Sequence, residues 1–116
     1  MPAAMDSARF AGLLALAGPD HALELTDRLV DDLGRVSHNL TATPDRVTVR
    51  AQSHVLLAIA GTIGATRLYH MAQGLNHRAK DPDCGSFPDR IPEVLHLLDQ
   101  LIAYVRAARS QLAARP

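Results

Sequence analysis

The chain has 116 residues, the size of one ordinary domain, and such a length buries a core without metal or disulfide staples. Twelve basic and twelve acidic residues cancel, so no overall field recruits nucleic acid or an anionic membrane, and neither is an expected partner. The single cysteine, Cys84, has no mate for an internal disulfide. No apolar run nears the length of about 20 residues that crosses a bilayer, and no signal pattern opens the chain, so a cytoplasmic protein is expected.

Aromatic residues make up 3% of the chain, and β-branched residues rarely alternate with polar ones, whereas Ala, Leu and Arg, all good helix formers, abound. The fold class read from this is all-α, a single domain over 1–116 with its core at about 6–114. Asp6 or Ser7 suits the cap of a short first helix through Phe10, Leu13 and Leu14, which Gly18 followed by Pro19 stops. Pro19 also fits the first turn of a second helix, with Asp20 and Glu24 near its positive end and Leu25, Leu29, Val36 and Leu40 along one side. This helix is expected to close at Asn39 to Thr41.

Thr43-Pro44-Asp45 signals the start of a third helix, which stops around Gly64. A fourth places Leu68, Met71, Ala72, Leu75 and Ala79 on one face and ends before Pro82. Asp81 to Pro88 has loop chemistry, being rich in Pro, Asp, Gly and Ser. A last helix begins near Asp89, accommodates Pro92 in its first turn, and carries Val94, Leu97, Leu98, Leu101, Ile102 and Val105 as a broad stripe. Its basic end at Arg106, Arg109 and Arg115 suits a helix C-terminus. Four long amphipathic helices with short joins predict an antiparallel four-helix bundle, with the additional short N-terminal helix covering one end.

His54 stands on the third helix. At about 100° per residue, Val49, Leu56, Ile59 and Ile63 fall near the side opposite it, so the imidazole is expected to face away from the core. Its own side carries Val47, Arg50, Ala51, Leu57, Ala58 and Gly61, mostly small residues that let a partner's backbone come close. That is the pattern of a docking surface around a reachable nucleophile. Val47, Leu57 and Val55 would add apolar area to it; the alternative is that they pack against the N-terminal helix.

The stretch from His54 to Ala65 resembles the core motif of the histidine-containing phosphotransfer (HPt) domains of two-component phosphorelays. That motif reads His-x-Leu-Lys-Gly, five variable positions, then Gly-Ala or Gly-Leu. His54, Leu56, Gly64 and Ala65 match it, while Leu57 stands at the family's lysine and Ala58 at the glycine after it. The family also opens with a short helix, a break and a long amphipathic helix, as Phe10 to Leu33 does. By counting, the family's histidine-orienting Gln falls on Asn76, and a nearby basic position falls on Lys80.

The resemblance implies an HPt-like bundle whose His54 is the phosphoacceptor, shuttling a phosphoryl group between receiver-domain aspartates as phosphohistidine in signal transduction. It implies a phosphoryl carrier without its own kinase or ATP-binding domain, with response-regulator receiver domains and/or a hybrid sensor histidine kinase as partners. No cofactor and no metal would belong to this chain. An imidazole of ordinary pKa, about 6.5, is largely neutral at cytoplasmic pH and offers a ring nitrogen for attack. Arg50 and Lys80 are the candidates to soften phosphate charge where the lysine is missing.

Two other readings stay open. Leu57 in place of a cation suits a degenerate HPt-like bundle, acting as a non-catalytic binding or dimerisation module. The phosphoacceptor domain of a chemotaxis-type kinase shares the same histidine logic, and this chain would then be a detached substrate domain. The remaining candidates read more simply. His70 and His77 are seven residues apart, not at the i, i+4 step of a metal pair, and His21, His38 and His96 show no ligand spacing. Cys84 has no neighbouring His or Cys, and Asp27, Asp31 and Asp32 read as a solvated helix face.

Overall fold

The computed structural model describes residues 6–43, 45–81 and 90–114. Pro44, most of the expected loop including Cys84, the expected helix start at Asp89, and Arg115 lie outside them. Five helices follow in order: α1 (Ser7–Ala17), α2 (Pro19–Ala42), α3 (Arg46–Ile63), α4 (Thr66–Ala79) and α5 (Ile91–Ala113). No strand occurs among the described residues.

Local chemistry sets the helix ends. The Asp6 carboxylate accepts from the backbone N–H of Arg9 at 3.1 Å and starts α1, and Asp45 accepts from that of Thr48 at 2.7 Å and starts α3. Both occupy a donor that the first turn of a helix otherwise leaves unpaired. Gly18 turns the chain between α1 and α2, and Pro19 opens α2 as expected. The last turn of α2 runs one residue past the expected close, to Ala42. At the end of α3, Gly64 takes a left-handed conformation at φ 79°, and its N–H and that of Ala65 both donate to the Ala60 carbonyl at 3.0 Å.

Helix α2 packs on α5 and on α3, and α3 packs on α4, which meets α5 more lightly and closes the ring of a four-helix bundle. Leu29, Leu33, Val36 and Leu40 of α2 are buried against the stripe of α5 built from Val94, Leu98, Leu101 and Val105. Val49, Leu56 and Ile63 recur every seven residues on α3 and are fully buried. The small Ala60, Ala72 and Ala79, also buried, let α3 and α4 lie close. Leu25, Ile59, Met71 and Ile102 were expected in the stripes but are only half-buried, packing against the core from its edges. Among the described residues two polar ones enter the core at a small cost, since the hydroxyls of Thr26 and Ser53 donate to the carbonyls of Leu23 and Arg50.

The short helix α1 lies on α2 and reaches the end of α3. Phe10 is buried beside Tyr104 of α5, with ring centroids 5.7 Å apart. Arg9 donates from Nη2 to the Gly61 carbonyl at 2.8 Å. The first helix therefore covers the end of the bundle at the α3–α4 turn. No described helix is long and apolar enough to cross a membrane.

Candidate functional site

The burial of Val49, Ser53, Leu56, Ala60 and Ile63 fixes which side of α3 faces the core and brings His54 out into solvent. The exposed side does not stand alone. The N-terminal half of α3 and the last turn of α4 border an open cleft of about 770 Å³, lined by Arg46, Val47, Arg50, Ala51, His54, Leu57, Asn76 and Lys80. Because α3 and α4 run antiparallel from a tight turn at Gly64 and Ala65, the start of one lies beside the end of the other. That pairing places Asn76 and Lys80 across from His54.

Apart from Val55, Ala58 and Gly61, all the residues expected around His54 share this cleft. Ala58 is exposed but lies outside the lining. Gly61 corrects the expectation of an open surface of small residues. It is half-buried, a side chain there would lie 3.7 Å from the ring of Tyr69, and its carbonyl is taken by Arg9. The cleft closes at that end because the short connection draws the two helices together. Arg46 was missed by the sequence reading, although its place four residues before Arg50 and eight before His54 puts it on the same side of α3.

Arg46 also ties the two helices. Its Nη1 donates to the Ala79 carbonyl at 3.2 Å, so a cation meets the negative end of α4, where Lys80 follows as the capping residue. Asp45, just before the cleft, has its carboxyl held below the usual aspartate range by the backbone N–H and hydroxyl of Thr48.

The charge balance of the whole chain conceals how these groups are distributed. From Arg46 to Lys80 there are five Lys and Arg residues and no Asp or Glu. The acids gather elsewhere: Asp27 of α2 pairs with Arg109 of α5, and Asp32 lies between Arg28 and Arg35. Three cations, an imidazole and an amide thus line the cleft without a carboxylate among them. Such a lining suits an anionic electrophile approaching an imidazole nitrogen.

Val47 is 72% exposed and Val55 42%, while Leu57 is half-buried in the cleft wall. Helix α1 does not cover Val47. It touches α3 at Gly61 and Gly64, and Gly61 lies about 21 Å farther along the helix axis. His21, His38, His70, His77 and His96 are all exposed, the His70 ring lying nearly perpendicular to that of Tyr69 with centroids 6.0 Å apart. Among the described residues no three His, Cys, Asp or Glu side chains are grouped to hold a metal ion. A second cavity, of about 580 Å³ between α1, α2 and α5, is lined by Phe10, Leu14, Ala22, Tyr104 and Leu112 among others and carries no acid or basic side chain.

Compared with protein-family models, with curated proteins and with solved structures, the chain matches none.

Proposed function

We propose that this chain is a histidine phosphotransfer protein, with His54 as the phosphoacceptor, exchanging a phosphoryl group with receiver domains in the cytoplasm. The observation that carries this reading is the placement of an exposed His54 in one cleft with Arg46, Arg50, Lys80 and Asn76, free of carboxylates. A ring nitrogen of His54 attacks the phosphorus of a receiver's aspartyl phosphate. The N–P bond forms as the P–O bond breaks, the aspartate leaves as carboxylate, and the imidazole gives up its ring proton to water. The return step, onto a second receiver, runs the same exchange backwards.

Such transfer depends on positioning and charge more than on covalent assistance from the carrier. In this reading the cations of the cleft meet the phosphoryl oxygens, and the exposed Val47 in its lining gives a receiver apolar area on which to settle. The receiver supplies its own acidic site and the divalent ion bound there.

The test is phosphoryl transfer from a panel of phosphorylated receiver domains of the source organism to the purified chain and to its His54→Ala variant. Acid-labile, base-stable label on the wild type alone supports the reading. Its absence from every donor, with the protein folded, favours instead a binding module that uses the same face without transfer. Leu57 in the cleft wall, where the resembled family has a lysine, is the observation on that side.

A further inference from the structure

Arg46, Arg50 and His54 follow one another at four-residue steps, each advancing about 6 Å along α3 and drifting about 40° round it. Helical side chains lean toward the N-terminus, so the imidazole overhangs the turn that bears Arg50 and Ala51. The cations that precede His54 are therefore on the side to which its ring points, whereas Leu57 comes one turn after it.

The guanidinium of Arg46 is braced. One nitrogen is spent on the Ala79 carbonyl, which holds the group at the seam of α3 and α4 and leaves its other donors for the cleft. Among the described residues Arg50 and Lys80 have no carboxylate partner. Asp45 is engaged in capping α3, and neither it nor Asp81 lines the cleft. Guanidinium forks match the oxygens of a tetrahedral anion, and Val47 and Leu57 give the cleft apolar flanks.

We propose that the cleft is an oxyanion site in its own right, binding a free phosphate-class dianion between Arg46, Arg50 and Lys80, beside His54 and without a partner protein. It deepens the phosphotransfer reading and rests on the same site, placing the cations on the turns before the histidine instead of three residues after it. Its own test is binding, not transfer.

Inorganic phosphate is titrated into the full chain at constant ionic strength, and the ring C–H resonances of His54 are followed by NMR, with those of His21 as the distant control. The expected result is a saturable shift of His54 that chloride does not reproduce. Arg50→Gln and Arg46→Gln each weaken binding about tenfold, the loss of one charge-assisted contact, and Lys80→Gln weakens it less.

Phosphate shifts no larger than those of chloride, or undiminished binding in the Arg46→Gln/Arg50→Gln double variant, would overturn the proposal. Should Arg46→Gln unfold through loss of the Ala79 contact, Arg50→Gln, which breaks no such contact, decides alone. Phosphohistidine on a chain that binds no phosphate would sink this inference and leave phosphotransfer standing; phosphate binding without phosphohistidine would do the reverse.

Discussion

The backbone N–H of Asp6 donates to the carbonyl of Gly64 at 2.8 Å, so the residue that caps α1 also closes the end of the helix that carries His54. Gly64 holds a left-handed conformation at φ 79°, and a side chain there would come within 3.0 Å of Arg9 Cδ and 3.1 Å of Asp6 Cβ. Gly64→Ala is expected to cost about 1–2 kcal/mol from the backbone alone, with a further loss as α1 is pushed off. Gly74→Ala is the control. It lies exposed within α4 with nothing within 4 Å of the added carbon, and it is expected to stabilise by about 0.5–1 kcal/mol. Urea unfolding of the two variants measures both signs.

The two sides of α3 differ in what truncation does. Leu56 is 0% exposed in the core, so Leu56→Ala is expected to cost about 2–5 kcal/mol through lost burial and the cavity left behind. Val47→Ala, on the open side, is expected to change stability by less than about 0.5 kcal/mol. The same Val47 variant should weaken docking of a receiver domain, which a pull-down or titration with an active donor reads separately from folding.

Asp45 makes the stability of α3 depend on pH. Its carboxyl titrates below the usual aspartate range in the folded chain, so its contribution is full above the unfolded value of about 3.9 and is lost as pH falls through the folded one. Asp45→Asn keeps an oxygen acceptor for the Thr48 N–H and removes the charge. The melting-temperature gap between wild type and Asp45→Asn should be constant above about pH 5 and shrink on acidification below about pH 4. Thermal scans from acid to neutral pH, monitored by circular dichroism, test this; a gap that widened in acid would contradict it.

Leu57→Lys installs a cation in the cleft wall at the position where the HPt motif has its lysine. With His54 as phosphoacceptor, transfer from a receiver should quicken by about tenfold, equivalent to about 1.4 kcal/mol of barrier, while His54→Gln abolishes label. Rapid-quench kinetics with one cognate receiver measure the change. An unchanged rate would mean that Arg46, Arg50 and Lys80 already supply what the lysine provides.

Much of the fold was legible because its causes are local. The Asp6 and Asp45 caps, the Gly18-Pro19 break and the Gly64 stop act over a few residues, and the structure places helix ends at or within a residue or two of them. The 3.6-residue period decides which side of α3 carries Leu56 and which carries His54 whatever the neighbouring helix is. Gly61 was misread for the complementary reason. Its place on the His54 side of α3 is correct, but the Tyr69 ring that lies against it comes from another helix.

By itself the sequence determined the helix count, the core stripes, the outward side of His54 and the segregation of carboxylates from the stretch between Arg46 and Lys80. The tertiary structure alone decided that Arg46 reaches the Ala79 carbonyl, that Asn76 and Lys80 lie across from His54, and that α1 closes the far end at Gly61 and Gly64. Those contacts depend on the axial register of helices meeting across a turn. Register follows from how whole faces interlock, with Ala60, Ala72 and Ala79 letting α3 and α4 approach, and no short-range pattern in the chain encodes it.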